Sequence, residues 1–200
     1  MTKIGIVCAM SEEVDKIVTA FNLQKINTDL GYKIYQNQQI TLIESSIGKV
    51  ASTLAASVLV NHESIDRLIN IGLAGALKNT PVGSAYFVSS VTQHDAFIPF
   101  EEYQPDMYQD INCVVPAHVK NTATLATGDQ FIDNIEQIDS DADLVDMEGF
   151  AVAYVAKKHH LPITIIKGVS DDANSSSEAE LFKNLTIAMD QTITLLKQVI

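Results

Sequence analysis

The hydrophobic pattern of the chain alternates between short, wholly apolar runs and longer stretches with one apolar face. Apolar runs of roughly four to eight residues are typical of strands buried on both faces of a sheet, and apolar residues at three- and four-residue spacing indicate an amphipathic helix. The pattern predicts strands at Lys3–Ala9, Arg67–Gly72, Ala85–Thr92, Thr122–Thr127 and Ile163–Ser170, and a hairpin over Tyr32–Gln36 and Gln39–Ser46. It predicts helices at Ser11–Asn22, capped by Ser11, and at Lys49–Asn61, Met147–His160 and Leu181–Val199.

Strands that alternate with helices in this order indicate an α/β fold, in which a central mixed, largely parallel sheet is flanked by helices on both faces. No Pro/Gly/Ser-rich linker divides the 200 residues, so residues 1–200 are expected to form a single domain with one core. In such sheets ligands bind beyond the carboxyl ends of the strands. Three predicted strands end in small or polar residues, at Gly72, Gly128 and Asp171, and a small-residue turn is predicted over Gly72–Gly75.

The charge of the chain narrows the class of partner. A net charge of −12 and a pI near 4.6 disfavour nucleic acid and anionic membranes. Arg67 is the single arginine, and the other twelve of the 13 basic residues are scattered lysines, so no cluster of guanidinium groups can hold a phosphate. No apolar run approaches the roughly 20 residues that span a bilayer, and no signal peptide is recognisable. We therefore expect a cytoplasmic protein in which Cys8 and Cys113 are reduced packing residues.

Three carboxylates stand in unusually apolar surroundings, where an acid is costly unless it is paired or used in chemistry. The first is Glu13, which shares one face of the first predicted helix with Met10, Val14 and Ile17. As a functional residue it would take part in acid–base catalysis. The alternative is an acid at the edge of the apolar stripe that reaches solvent or an N–H group at the helix N-terminus.

Glu148 and Asp171 are the other two. Glu148 opens the Ala/Val-rich helix and could accept hydrogen bonds from two adjacent sugar hydroxyls. Because acids also stabilise helix N-termini, Asp146 and Glu148 could instead both be structural. Asp171 follows a fully apolar strand, where a carboxyl can donate a proton to a leaving group or cap the following loop. The set is typical of acid–base catalysis on a polyhydroxylated small molecule.

Two histidine pairs are weaker candidates. His94-Asp95 is either a dyad or a turn at the start of a predicted loop over His94–Gln109, and His159-His160 is expected to be a solvated pair at a helix end. The Gly72-x-x-Gly75 spacing fits neither of the common nucleotide-phosphate loops.

Eight segments, taken in order, carry a resemblance to a known family. They are Ile4–Val14, Ser46–Val50, Asn70–Gly75, Val82–Gly83, His94–Asp95, Thr127–Ile132, Val145–Gly149 and Val169–Asp171. Together they resemble the purine nucleosidase/phosphorylase superfamily and are most similar to bacterial 5′-methylthioadenosine/S-adenosylhomocysteine nucleosidases. The resemblance implies a nucleoside-phosphorylase-like fold and hydrolysis of the N-glycosidic bond of 5′-substituted adenine nucleosides.

The resemblance also implies roles for the matching residues. Glu13 would orient and deprotonate the attacking water, Asp171 would protonate the purine with help from Ser170, and Glu148 would hold the ribose hydroxyls. The remaining substrate-binding positions would be Met10, Ile47, Ala74, Gly75, Phe131, Ile132 and Met147. By this resemblance Phe131 would stack on the base, and the Ile132 backbone would bind its edge. Met147 would pack beside the sugar, and Met10 and Ile47 would lie near the sugar and its 5′ substituent. No cofactor or metal is implied, and the partners are a purine nucleoside and a second subunit of a homodimer.

Departures from the family pattern keep alternatives open. Asn70 stands where the phosphorylases place an arginine, which favours a hydrolase over a purine nucleoside phosphorylase. Leu73 replaces the usual serine, and the segment 94–115 is short, so a futalosine-type hydrolase is a further alternative. A non-catalytic purine-binding or sensor protein is the alternative from another functional class.

Overall fold

The computed structural model of the protein describes residues 2–62, 64–100, 109–174 and 177–200. Within these ranges ten strands form one mixed sheet. They are β1 (Ile4–Cys8), β2 (Gln24–Ile26), β3 (Ile34–Gln36), β4 (Ile40–Glu44), β5 (Arg67–Ala76), β6 (Ala85–Gln93), β7 (Ile111–Asn112), β8 (Thr122–Thr127), β9 (Leu144–Asp146) and β10 (Ile163–Asp171). The helices of the same ranges are α1 (Ser11–Phe21), α2 (Lys49–His62), α3 (Gly149–Lys158) and α4 (Ser177–Leu196), with a single 3-10 turn at Ile135–Gln137. None of these helices is long and apolar enough to cross a membrane.

The sheet closes on itself over half of its strands. β10 pairs with β6 on one side and with β5 on the other, so β10, β6, β8, β9 and β5 form a ring, from which β1, β4, β3 and β2 extend as an open sheet. The longest pairings are parallel, including eight residue pairs between β10 and β5, whereas each antiparallel pairing in the described ranges spans two or three. The predicted α/β fold with a mixed, largely parallel sheet is confirmed.

Helices cover the sheet from both sides, because each has an apolar face that must be buried. Ala55 and Leu59 of α2 and Phe150 of α3 pack into one hydrophobic cluster with residues of β1, β5 and β8. Ile17 of α1 and Met189 of α4 pack into a second cluster on the other side. β10, with nine consecutive buried residues, runs between them.

The predicted turn at Gly72–Gly75 is wrong, because β5 continues without interruption to Ala76. β10 pairs with residues 72–75 of β5, and β9 pairs with Gly75 and Ala76. The small residues serve close packing instead of a turn. A Cβ atom at Gly72 would lie 3.0 Å from Glu13 Oε1, and one at Gly75 would lie 3.0 Å from Asp171 Oδ1.

Three helix starts differ from the predictions. Met10, and not Ser11, is the N-cap residue of α1, since its N–H group donates to Glu13 Oε2 at 3.1 Å. Helix α3 begins at Gly149, three residues after β9 ends at Asp146, and α4 begins at Ser177. The predicted loop after His94 contains no helix or strand over residues 94–100, while residues 101–108 lie outside the described ranges.

Candidate active site

One pocket lies at the carboxyl ends of the strands β1, β5, β9 and β10, the edge of an α/β sheet at which ligands bind. All eleven residues that the sequence analysis assigns to a site line it. They are Met10, Glu13, Ile47, Ala74, Gly75, Phe131, Ile132, Met147, Glu148, Ser170 and Asp171. Six further residues complete the lining: Ala9, Leu73, Gln130, Val145, Asp146 and Leu181.

Glu13 is almost completely buried and is held by hydrogen bonds to both carboxylate oxygens. The N–H group of Leu73 donates to Oε1 at 2.8 Å. Oε2 accepts from the N–H group of Met10 at 3.1 Å and from the Cys8 thiol at 3.3 Å. Glu13 thus bonds an N–H group at the start of α1, as one interpretation of the sequence predicts, but it is 3% exposed and does not reach solvent. Burial raises the pKa of Glu13, against the opposing charge of Lys167.

Asp171 is the last residue of β10 and is 2% exposed. Its Oδ2 accepts a hydrogen bond from the Ser170 hydroxyl at 2.7 Å, and its Oδ1 accepts one from the N–H group of Ala173 at 3.1 Å. Ala173 has a positive φ of 51°, which turns the chain back over the carboxylate. The Asn184 amide of α4 donates to the Ser170 carbonyl at 2.9 Å, so a helix and a turn together fix the end of the strand.

The two acids at the start of α3 have different surroundings. Asp146 accepts the N–H group of Gly149 at 2.8 Å and the Thr127 hydroxyl at 2.6 Å, and that hydroxyl oxygen accepts the N–H group of Phe150 at 2.9 Å. The first N–H groups of the helix are therefore bonded without Glu148. Its carboxylate faces the pocket, where Oε1 accepts the N–H group of Gly48 at 2.9 Å. Asp146 thus caps α3, whereas the Glu148 side chain makes no capping hydrogen bond to that helix.

A buried lysine lies beneath the pocket, and the sequence analysis missed it. Lys167 of β10 pairs with Asp146 at 2.7 Å, and both side chains are 1% exposed. A lysine inside the apolar run of Ile163–Ser170 is the signal that could have revealed this pair, since a buried lysine needs a partner.

The pair sets the charge balance of the pocket floor. Burial disfavours the charge on Lys167, but Asp146, Glu148 and Glu13 outweigh it, so the pKa of Lys167 is raised. Burial raises the pKa of Glu148 to about 7, and the negative charge of Asp146 adds to this rise. The floor thus holds one buried ammonium among several buried carboxylates.

The rim of the pocket is apolar and more exposed. Ile47 is 54% and Phe131 41% exposed, at the ends of two loops that face each other across the opening. Ser46 and Gly48, on either side of Ile47, have positive φ angles of 70° and 102°, so this loop turns sharply before α2 begins.

An ion-pair network ties the two rim loops together; we call it the rim clasp and define it as Lys49, Asp95 and Asp129. The Lys49 ammonium lies 2.5 Å from Asp95 Oδ1, and the N–H group of Asp129 donates to Asp95 Oδ2 at 2.8 Å. The N–H group of Lys49 donates to Asp129 Oδ1 at 2.7 Å. Because Lys49 follows Ile47 and Asp129 precedes Phe131 by two residues, the clasp connects both rim loops.

The histidines are not brought into the pocket lining. His94 packs against Gly128, where a Cβ atom would overlap its ring, and burial lowers its pKa. His159 and His160 are exposed at the end of α3, as predicted. Cys8 and Cys113 are free thiols, as predicted. Over the described ranges, no group of three or more His, Cys, Asp or Glu residues is placed to hold a metal ion.

Comparisons with known proteins place this geometry in a family. Residues 3–200 match the model of the phosphorylase superfamily. An aminodeoxyfutalosine nucleosidase of Helicobacter pylori strain J99 is 28% identical over 204 aligned residues, which cover 88% of this chain and 89% of that protein.

Solved structures agree in fold over nearly the whole chain. A 5′-methylthioadenosine/S-adenosylhomocysteine nucleosidase of Helicobacter pylori, in complex with a substituted pyrrolidinol, superposes with a TM-score of 0.88 at 25% identity and covers 98% of this chain and 97% of its own. The corresponding nucleosidase of S. pneumoniae, bound to the transition-state inhibitor MT-ImmA, gives a TM-score of 0.85 at 26% identity and covers 98% of this chain and 96% of its own.

Proposed function

Because this chain belongs to the phosphorylase superfamily, we propose that it is a nucleosidase that hydrolyses the N-glycosidic bond of 5′-substituted adenine nucleosides and releases adenine. The substrates are of the 5′-methylthioadenosine or S-adenosylhomocysteine type, and water is the nucleophile. One observation carries the proposal: two buried carboxylates, Glu13 and Asp171, line the same pocket, whose lining includes no arginine. The nucleosidases among its relatives support the same reaction.

The chemistry of the bond requires an acid and a base. When an N-glycosidic bond breaks, positive charge develops on the sugar and negative charge on the purine, so one group must protonate the leaving base and another must activate water. Gly72 lies against Glu13 and Gly75 against Asp171. Both carboxylates are therefore placed beside β5, and both line the pocket that would hold the sugar.

In this mechanism Glu13 takes the proton of the attacking water and Asp171 protonates the purine. The Ser170 hydroxyl, 2.7 Å from Asp171, holds the acid in place. Glu148 accepts hydrogen bonds from the ribose hydroxyls. It is fixed by the N–H group of Gly48 at 2.9 Å, which orients one of its oxygens and leaves the other for the sugar.

The apolar lining divides between the base and the sugar with its 5′ group. Phe131 and the Ile132 backbone bind the adenine, and Met147 packs beside the ribose. The 5′ substituent lies near Met10 and Ile47, while Ala74 and Gly75 form a wall without side-chain bulk. These assignments follow the family resemblance and are consistent with the position of each residue in the pocket.

Adenine release is the experiment that tests the proposal. The substrates are 5′-methylthioadenosine, S-adenosylhomocysteine, aminodeoxyfutalosine and adenosine, each with and without phosphate. We expect release that does not depend on phosphate. Phosphate-dependent release with formation of a sugar 1-phosphate would establish a phosphorylase instead, and adenine binding without turnover of any nucleoside would establish a sensor.

We also propose that the protein is cytoplasmic and forms a homodimer, as the resemblance implies. Val50 and Leu54 of α2, which are 71% and 56% exposed, support an apolar interface beside the rim residue Ile47. Light scattering of the purified protein tests the dimer, and a monomeric mass at micromolar concentration would contradict it.

A further inference from the structure

The thiol of Cys8 contacts the proposed base Glu13, and no role in the proposed mechanism uses it. Cys8 is the last residue of β1 and is completely buried. Its Sγ atom lies 3.3 Å from Glu13 Oε2, so the thiol donates a hydrogen bond to the proposed base. The other cysteine, Cys113, has its Sγ atom 3.8 Å from the carbonyl oxygen of Ile111 and is not part of the pocket lining.

The remaining hydrogen-bond donors to Glu13 belong to the main chain. They are the N–H groups of Leu73 and Met10. Cys8 is therefore the one side chain, within the described residues, whose hydrogen bond to Glu13 a substitution can remove. Both carboxylate oxygens lie close to Gly72, where a Cβ atom would come within 3.0 Å of Oε1 and 3.3 Å of Oε2.

Charged groups reach Glu13 from two other elements. Lys167 of β10 favours its ionised form, and Glu148, at the N-terminus of α3, has Glu13 as a negative neighbour. Asp146 pairs with Lys167 and so takes up part of the ammonium charge. Lys167, Asp146 and Glu148 also interact with one another. Among the described side chains, the thiol of Cys8 has its hydrogen bond to Glu13 only.

The thiol remains a donor at working pH. Burial raises the pKa of Cys8 well above its ordinary value, and the negative charge of Glu13 adds to the rise. The sulfur therefore keeps its proton. A thiol is a weaker hydrogen-bond donor than a hydroxyl. It can therefore orient a carboxylate while lowering the affinity of that carboxylate for a proton less than a hydroxyl would.

We propose that Cys8 is a positioning residue, which holds the Glu13 carboxylate toward the pocket and sets how readily it accepts a proton from water. The second part rests on the proposed function, while the first concerns the folded protein alone. A hydroxyl at this position would make Glu13 a weaker base, and an apolar side chain would make it a stronger one.

Three single variants test the proposal: Cys8→Ser, Cys8→Ala and, as the matched control, Cys113→Ala. The readout is the pH midpoint at which Glu13 becomes protonated. It is measured from the infrared carbonyl band of the protonated carboxyl group, which is identified as the band that the Glu13→Gln variant lacks. We expect a lower midpoint in Cys8→Ser and a higher one in Cys8→Ala, each by roughly half a unit to one unit, the effect of one hydrogen bond. Cys113→Ala is expected to match the wild type.

The infrared titration needs no turnover, so it stands even if the protein releases no adenine and the proposed function fails. Equal midpoints in Cys8→Ala and wild type would overturn the proposal. So would shifts of the same direction in Cys8→Ser and Cys8→Ala, because a change in packing would then explain both. Opposite shifts, together with an acidic limb of kcat/KM that moves with each midpoint, are the expected result.

Discussion

The floor and the rim of the pocket hold charged groups in contrasting ways. On the floor, Lys167 and Asp146 pair with 1% of each side chain exposed, and the neighbouring Glu13 is 3% exposed. On the rim, Lys49 and Asp95 pair with 19% and 30% exposed. A buried charge without its partner is strongly destabilising, whereas an exposed pair contributes little. The difference teaches that the charged groups on the floor of this pocket depend on their partners for stability, whereas those on its rim depend on theirs far less.

The largest effect is expected on turnover, when the carboxylates of the pocket floor are replaced. We expect Glu13→Gln and Asp171→Asn each to lower kcat by roughly 10²–10⁴-fold, because each removes the proposed base or acid. Adenine release measures the loss, and thermal unfolding checks that the fold is retained.

The chain offers an exposed neighbour as a control for each variant. Glu12→Gln and Asp172→Asn change the adjacent acids, which lie outside the pocket lining, and both are expected to retain full activity. Near-normal turnover in either floor variant would contradict the proposed mechanism. An equal loss of turnover in the control variants would show that the change in net charge causes the loss.

Stability separates the two kinds of ion pair next. Lys167→Met leaves Asp146 buried without its ammonium, and we expect the free energy of unfolding to fall by about 3–5 kcal/mol. Lys16→Met removes a surface partner of Asp190, 32% and 59% exposed, and is expected to change it by less than about 1 kcal/mol. Urea unfolding measures both values. Similar losses in the two variants would show that burial does not govern these pairs.

Lys167 also shows where prediction from sequence reaches its limit. Its position in an apolar run is visible in the sequence, but its partner is 21 positions away on β9. Which strands lie together depends on how β10, β6, β8, β9 and β5 close into a ring. The hydrophobic pattern predicts the longer strands one at a time and contains no information about that closure.

The candidate site was more predictable than the pairing beneath it. Acids at the ends of apolar elements are visible as exceptions to a pattern, and Glu13, Glu148 and Asp171 all line the pocket. Their roles stay predictions. Asp146 and Glu148 could not be separated, because both stand at the start of one helix and only the backbone geometry decides which accepts its N–H groups. Gly72 and Gly75 suggested a turn. The carboxylates of Glu13 and Asp171 need the space that side chains at these two positions would fill, but they come from segments distant in the sequence.

A pH dependence sharpens the comparison further. The pKa of Glu148 is raised from 4.5 to about 7, so below that pH the group is protonated in the folded protein and cannot accept both ribose hydroxyls. We expect kcat/KM to rise through about pH 7, and Glu148→Gln to have low activity and to lack this rise while keeping the acidic limb that Glu13 sets. An exposed acid, Glu136, provides the control as Glu136→Gln, with an expected profile like that of the wild type.

The stability contribution of the same group has the opposite sign. Between pH 4.5 and 7 the folded protein binds the proton of Glu148 more tightly than the unfolded chain does. Stability from this group is therefore fully present below pH 4.5 and is lost as the pH rises through about 7. Urea unfolding at both pH values should show this loss in the wild type and not in Glu148→Gln. An equal loss in the two proteins would assign it to other groups.

The smallest effect is expected at the rim clasp. Asp95→Asn weakens the contact to Lys49 and leaves a carbonyl oxygen to accept the N–H group of Asp129, so the two rim loops stay connected but hold each other less firmly. Because the loops carry Ile47 and Phe131, we expect KM for the nucleoside to rise a few-fold while kcat is unchanged. Glu44→Gln, at the surface pair with Lys33, is the control that should change neither. A fall in kcat with unchanged KM would instead couple the clasp to the floor, and rim and floor would then act as one unit.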